Sequence, residues 1–308
     1  MGKHAFNPTR ITESLYQIGT PSFPAYLSLG SDIMMIEGGT GPTGQLIVEQ
    51  VKELGINPIT IKYIALTHTH ADHIGALPLL KALWPHVKVV ATTVAAQTLR
   101  NPEMLKPFLA VDRSIAKIMK TKGEIAELPP APENISFDVD WEVDEGDRID
   151  LGNGIEWSVY RTPGHSPCHM GLFEHKEKTL VIGDTTGFYL PEKDVFWPNY
   201  FESLEKYCAT IRMLASLPAQ RAALSHNCVI EGTVRQHFEK ALQATKRYHT
   251  EMLQRLATGE DPEVIAREKA EWVNSLTDIQ PFEAMLALSK LLLKRSQKAG
   301  DKEIPFTI

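Results

Sequence analysis

Residues 67–75 read Thr67-His68-Thr69-His70-Ala71-Asp72-His73-Ile74-Gly75, directly after a β-rich run, Lys62–Leu66. At the end of a strand, residues two apart point the same way, so His68 and His70 can reach one metal ion. Asp72 and His73 fall in the turn that enters the next helix, Leu77–Leu83, and can reach a second ion on its other side. Imidazole nitrogen with carboxylate oxygen is a donor set for Zn(II), Fe(II) or Mn(II). The competing reading is a histidine-rich surface turn; the tight spacing favours the metal site.

Outward from this stretch, the pattern predicts strands at Ile11–Ile18, Ala25–Leu29 and Ile33–Glu37, the last broken by Gly38-Gly39. Leu46, Ile47, Val51 and Leu54 have helical spacing within Gly44–Leu54. A strand at Val87–Ala91 follows the helix Leu77–Leu83, and Pro102–Gly123 reads as an inserted helical pair. Leu128–Asn134 is proline-rich and reads as a linker. Strand signals return at Arg148–Leu151, Glu156–Arg161, His169–Glu174 and Leu180–Ile182, then a helix at Phe201–Leu217 and a strand at Ala222–Leu224. From about Val234 the chain reads as helix: Val234–Ala257, Pro262–Val273 and Phe282–Lys294. Two blocks of strands, each with its own helices, predict two similar halves packed sheet to sheet.

The chain has 308 residues, 43% of them apolar, and a formal charge of −6. This is globular composition, long enough to bury a core without disulfides. Cys168, Cys208 and Cys228 are too scattered for a disulfide framework or a cysteine zinc site. No apolar run approaches the roughly 18 residues that span a bilayer. The opening MGKHAFNPTR lacks the apolar core of a signal peptide, so a cytoplasmic location is expected. The negative charge argues against a nucleic-acid partner, and no membrane partner is expected.

His-x-His-x-Asp-His after a strand resembles the metallo-β-lactamase superfamily, and three further stretches follow in that family's order. They are Thr162-Pro163-Gly164-His165-Ser166, Ile182-Gly183-Asp184-Thr185 and Leu224-Ser225-His226-Asn227. The resemblance covers about residues 11–230. It implies an α/β (α+β) fold, the αββα four-layer sandwich, here with a C-terminal helical extension. It divides the chain into a catalytic domain at 1–230, with a helical insert at about 102–123, and a helical cap at 231–308. It gives one ion to His68, His70 and His165, a second to Asp72, His73 and His226, and shares Asp184 between them. Two divalent ions are implied, Zn first, with Fe or Mn as alternatives. The activity implied is hydrolysis, a metal-bridging hydroxide attacking a carbonyl carbon, with Asp72 and Asp184 as catalytic carboxylates. Flavodiiron oxygen reductases of this superfamily carry Glu where His70 stands, and work with a flavodoxin domain.

Within the family the chain is most similar to a glyoxalase II-like and quinolone-signal response thioesterase-like branch with a C-terminal helical cap. Glyoxalase II itself has a glycine-rich, arginine-containing loop where this chain reads TTGFYLPEKDVFW after Asp184. The expected substrate is a small-molecule thioester or ester, acyl-CoA-like. A lactonase, a phosphodiesterase, or a regulatory or binding protein with vestigial hydrolase activity are the alternatives. Phe188, Tyr189, Trp197 and Tyr200, with Phe196 and Phe201, are expected to line an apolar acyl pocket, or else to pack the cap against the core. The helix Phe282–Lys294 is apolar nearly all round and reads as core, lid or homodimer seam. Lys106, Arg113, Lys117, Lys120 and Lys122 could grip CoA phosphates or form a solvated helix face. His169 is expected to support the site rather than ligate. Cys168 and Cys228 sit near ligands, whereas His4, His86, His175, His237 and His249 read as surface or packing residues.

Overall fold

The computed structural model describes residues 6–130, 136–300 and 302–308; His4 and most of the expected linker Leu128–Asn134 lie outside them. Seven strands form one sheet in chain order: β1 (Thr9–Arg10), β2 (Leu15–Gly19), β3 (Pro24–Leu29), β4 (Ile33–Ile36), β5 (Ile61–Ala65), β6 (Lys88–Thr92) and β7 (Trp141–Val143). The first four alternate in direction and the last four run parallel. A second sheet begins with β8 (Arg148–Asp150), β9 (Glu156–Arg161), β10 (Met170–Glu174) and β11 (Thr179–Gly183). The chain then makes a detached hairpin, β12 (Phe188–Leu190) and β13 (Val195–Trp197), and returns with β14 (Arg221–Leu224) and β15 (Val229–Glu231). The strand order of that sheet is β15-β14-β11-β10-β9-β8.

Four apolar residues in a row make β4, and all four are buried. Side chains alternate across a strand, so Met34 and Ile36 enter the core between the sheets while Ile33 and Met35 enter the core under the helices. The inter-sheet core joins Leu15, Tyr26 and Ile36 of one sheet to Trp157, Leu172 and Val181 of the other. Trp157 satisfies its buried indole by donating Nε1–H to Ser28 Oγ across that gap, at 2.9 Å.

The outer face of the first sheet is covered by α1 (Gly44–Glu53), the short α2 (Ala71–Ile74), α3 (Leu77–Leu83), α4 (Thr93–Leu99) and α5 (Pro102–Thr121). That of the second is covered by α6 (Leu204–Ala215), α7 (Val234–Ala257), α8 (Pro262–Leu276) and α9 (Phe282–Ala299). The result is the four-layer α/β/β/α arrangement with a C-terminal helical extension. No helix of the described residues is long and apolar enough to cross a membrane.

The insert at 102–123 is one helix, not a pair. Asn101 caps it by accepting the Glu103 N–H, and Pro102 takes the first position, where no N–H is needed. Pro107 lies inside the helix and costs a hydrogen bond, yet one buried stripe, Leu105, Ile115, Ala116 and Met119, runs its length. Buried Asp112 ties the helix to the loop between β4 and α1, accepting from Thr40 Oγ1 and, at 2.8 Å, from Gly41 N–H.

Candidate metal centre

The residues singled out in four separate stretches meet at one edge of the sandwich. Thr67 to His70 follow β5, and His70 keeps extended backbone (φ −69°, ψ 159°) before α2, whose first turn holds Asp72 and His73. Thr162 to His165 follow β9, Asp184 follows β11, and His226 follows β14. Gly38 lets the β4 end dock against the α2 turn. Its N–H donates to His73 O at 2.8 Å, and a Cβ there would stand 2.6 Å from that oxygen.

His68 Nε2, His70 Nδ1 and His165 Nε2 form a triangle with sides of 3.0, 2.9 and 3.2 Å. Asp184 Oδ2 closes the group at 3.4 Å from His165 Nε2 and 3.7 Å from His68 Nε2. A second group follows from Asp72, His73 and His226. His73 Nε2 is 3.7 Å from Asp72 Oδ1 and 3.5 Å from Asp184 Oδ2; His226 Nε2 is 3.5 Å from Asp72 Oδ2 and 3.4 Å from Asp184 Oδ1. Four tetrahedral donors about 2.1 Å from a cation lie about 3.4 Å apart. The separations given above, 2.9 to 3.7 Å, bracket that spacing.

Hydrogen bonds on the far side of each ring decide what faces inward. His165 Nδ1 meets Asn199 O at 2.9 Å and His226 Nδ1 meets Ser22 O at 2.7 Å. A carbonyl only accepts, so both Nδ1 atoms carry hydrogen and, in the neutral rings, both Nε2 atoms are bare lone pairs. Thr67 Oγ1 donates to Glu37 Oε1 at 2.7 Å, so it accepts from His68 Nδ1 at 3.0 Å, and His68 Nε2 is bare too. Glu37 Oε2 stands 3.1 Å from His73 Nδ1. In the neutral rings, lone pairs thus converge with carboxylate oxygens, and buried Asp184 Oδ1 and His73 Nε2 have no hydrogen-bond partner. This donor set fits divalent cations.

Burial, with the neighbouring imidazoles, pushes His68 well below its ordinary value, and burial also lowers His70 and His165. Burial opposes ionisation of Asp184 as well, but His226, His73 and His165 overcome it and hold that carboxyl well below the usual range. At His73, burial is outweighed by Glu37, Asp72 and Asp184, which raise it; at His226, Asp184 and Asp72 do the same.

His169 does not join either group. Burial lowers it to about 3, and its Nε2 accepts the Asp184 N–H at 3.0 Å while Nδ1 contacts Thr162 Oγ1 at 2.6 Å. It presses on Gly183, where φ is +55° and a Cβ would lie 2.3 Å from the ring nitrogen. Cys168 is buried 3.1 Å from Ser166 Oγ, and all three cysteines are free. Glu37, Ser225 and Asn199 support the centre without having been assigned roles from sequence. The one signal was Glu37 itself, an acid at a strand end before two glycines.

A cavity of about 240 Å³ opens on both groups. Phe188, Trp197 and Phe201 line it; Phe196 does not. Nor do Tyr189 and Tyr200. The Tyr189 hydroxyl donates to Asp194 at 3.0 Å and its ring packs on Phe196 and His237. Tyr200 is fully buried with its hydroxyl 2.8 Å from Ser296 Oγ. The hairpin explains the split: adjacent residues of β12 face opposite sides, so Phe188 faces the cavity and Tyr189 faces α7. The other walls come from α5 (Phe108, Val111) and from the start of α9 with the residues before it (Ile279, Leu288). Of the basic residues on and just after α5, Lys106 pairs with Glu103 and Lys122 with Asp278, and Arg113, Lys117 and Lys120 are exposed.

The family model described as metallo-beta-lactamase superfamily matches residues 25–226. Among curated proteins, the putative diflavin flavoprotein A 3 of Nostoc sp. is 29% identical over 181 residues, 58% of this chain and 26% of that protein. The putative diflavin flavoprotein A 1 of Thermosynechococcus vestitus is 24% identical over 254 residues, 77% and 38%. The chain therefore spans about a quarter to two fifths of these relatives. The probable metallo-hydrolase YflN of Bacillus subtilis is 29% identical over 234 residues, 71% of this chain and 82% of that protein. Among solved structures, the archaeal superfamily protein ST1585 from Sulfolobus tokodaii superposes with a TM-score of 0.58 at 22% identity, covering 75% and 87% of the two chains. The subclass B3 metallo-beta-lactamase BJP-1 of Bradyrhizobium japonicum gives 0.59 at 19%, covering 83% and 97%. At such identities these two establish the fold alone.

Proposed function

Because the chain belongs to the metallo-β-lactamase superfamily, we propose that it is a dinuclear metal-dependent hydrolase of an ester or thioester, acting on an acyl-CoA-like small molecule. We place it in the thioesterase-like branch, with residues 1–230 catalytic and 231–308 a cap. The observation that carries this reading is the position of Asp184, whose Oδ2 faces His68, His73 and His165 while Oδ1 faces His226. His68, His70 and His165 would hold one ion, Asp72, His73 and His226 the other, with Asp184 common to both; zinc, iron or manganese suits these donors.

Divalent ions bound there would supply Lewis acidity to a substrate carbonyl and would acidify water toward neutral pH. The chain's own residues orient and exclude. Asp72, on the cavity wall, offers a carboxylate oxygen to hold the proton of an attacking water. His68, His70 and His165 stay neutral at pH 7 and do not compete for that proton. Asn199 O, Ser22 O and the Thr67 hydroxyl keep the rings of His165, His226 and His68 in one tautomer.

The test is removal of metal with a chelator, restoration with each metal in turn, and assay against acyl-CoAs, aryl esters, lactones and bis-p-nitrophenyl phosphate. Turnover of an ester or thioester that needs two equivalents of metal is expected. Saturation at one ion per chain rejects the dinuclear site. Turnover of lactone or phosphodiester alone moves the assignment to those classes, and no turnover favours a regulatory or binding role. The diflavin flavoproteins favour a second reading, in which this domain exchanges electrons with a flavin. Metal-dependent oxidation of a reduced flavin with dioxygen supplied as the electron acceptor, in the absence of ester turnover, would select it.

A further inference from the structure

We propose that the cavity is a subsite for one uncharged apolar group, about six to eight carbons long or a single substituted ring, and that the first turns of α9 set its limit. The placement of the reacting carbonyl rests on the hydrolase reading; the subsite itself stands on its walls. Phe108 and Val111 of α5, Phe188 and Trp197 of the hairpin, and Leu288 of α9 supply apolar walls, which the uncharged amides of Asn199 and Gln280 adjoin. Among the described residues that line it there is no Lys or Arg, and its carboxylates, Asp72 and Asp184, lie at the metal-centre end. An anionic group seated among the apolar walls would be desolvated without a counter-charge, at a large cost.

The volume, about 240 Å³, sets the size. A dry apolar cavity of roughly 150 Å³ accepts benzene. The remainder admits a substituent or a longer chain, less the space of the reacting group beside the metal centre. Ala284, Ala287 and Leu288 sit at i, i+3 and i+4 on one face of α9. Ala287 is exposed and marks the mouth, where two methyl side chains leave the opening clear.

Two measurements on zinc-loaded protein test this. The first is kcat/KM for p-nitrophenyl and thiophenyl esters of straight-chain acids from two to twelve carbons, with an ω-carboxylate ester of equal length. The second, independent of turnover, is calorimetric binding of the matching alkyl and ω-carboxyalkyl hydroxamates. Affinity should rise about fourfold per methylene, the ratio given by burying one CH₂. It should level off near eight carbons, and a terminal carboxylate should lower it by 100-fold or more. Ala284→Trp should shorten the plateau by two or more carbons. Ala287→Leu, a smaller change at an exposed position, should shorten it by less, so the proposal does not depend on the Trp variant folding. No chain-length dependence of hydroxamate binding, equal binding of the ω-carboxylates, or an unmoved plateau in a folded variant overturns the subsite. Ordered hydroxamate binding with no ester turnover keeps the subsite and rejects the hydrolase reading.

Discussion

Replacing Glu37 with Gln should weaken metal binding at one of the two proposed sites while leaving the fold in place. Glu37 is 1% exposed, and its Oε1 accepts hydroxyl hydrogens from Thr67 at 2.7 Å and Ser225 at 3.1 Å. Its Oε2 faces His73 Nδ1 at 3.1 Å. An amide has the same size but only one accepting oxygen. If Thr67 and Ser225 keep that oxygen, the NH₂ donates to His73 Nδ1 and drives the ring hydrogen onto Nε2, 3.5 Å from Asp184 Oδ2. If the amide turns over, Thr67 must accept from it. Its own hydrogen then goes to His68 Nδ1, with the same result in the other group. Either way one inward lone pair is lost. Replacing such supporting groups typically costs 10–100-fold in metal affinity, about 1.4–2.8 kcal/mol. Zinc titration against a chromophoric chelator resolves the two affinities. One ion should weaken by that factor and the other stay within about threefold. Glu174→Gln is the control, because its buried carboxylate accepts only from the Lys176 and Glu177 N–H groups of a distant turn. Unchanged affinities in Glu37→Gln, or equal weakening in both variants, would refute the tautomer argument.

Three other outcomes can be measured. Gly183→Ala sets a methyl 2.3 Å from His169 Nε2 on a backbone at φ +55°, and should lower stability by roughly 2–4 kcal/mol in urea unfolding; an unchanged midpoint would contradict it. Asp112→Ala strips the acceptor from Thr40 and Gly41 and should cost about 1–3 kcal/mol, with faster amide exchange along 102–121 as the local readout. Metal loading at pH 7 should release protons, because carboxylates raise His73 and His226 above the ordinary 6.5. In the metal-free protein the stability from these raised groups is complete below about 6.5 and is lost as pH rises through their folded values. Binding should therefore weaken as pH falls, and its calorimetric heat should vary with buffer ionisation enthalpy; a buffer-independent heat would count against it.

The layer order and the convergence of the four ligand stretches were legible because each rests on a short local pattern: alternation, helical spacing, and polar clusters at strand ends. The single helix at 102–121 was not. Pro107 reads locally as a breaker, and only the stripe from Leu105 to Met119 against the core outweighs it. The hairpin Phe188–Leu190 with Val195–Trp197 was missed for a similar reason. Its strands are three residues long, and the aromatic run hides their alternation, so in the sequence Tyr189 groups with Phe188 and Trp197 although it faces the other side; Tyr200, three residues past the hairpin, is buried against Ser296. Glu37 was visible as a residue and invisible as a support, since its partners Thr67, His73 and Ser225 are 30, 36 and 188 positions away.

Strand direction explains how ligands so far apart in sequence come to one point. Strand β10 is antiparallel to both β9 and β11, and β11 is parallel to β14, so β9, β11 and β14 all run the same way. Each is followed at its C-terminal end by a residue of the candidate centre: His165, Asp184 and His226. The parallel strands β4 and β5 end likewise in Glu37 and the 67–73 turn. Two of the bonds that lock the sheets together at that edge fall beside the site. Tyr26 donates its hydroxyl to Leu224 O at 2.5 Å, two residues before His226, and Met170 N–H donates to Thr67 O at 2.8 Å, one residue before His68. The spacing between the two donor groups is therefore set by how the sheets are registered against each other. Backbone and side-chain hydrogen bonds behind the rings hold the convergent donors in place, so the chain itself, through its folding energy, bears the cost of gathering these buried polar groups and leaves a cation little to reorganise.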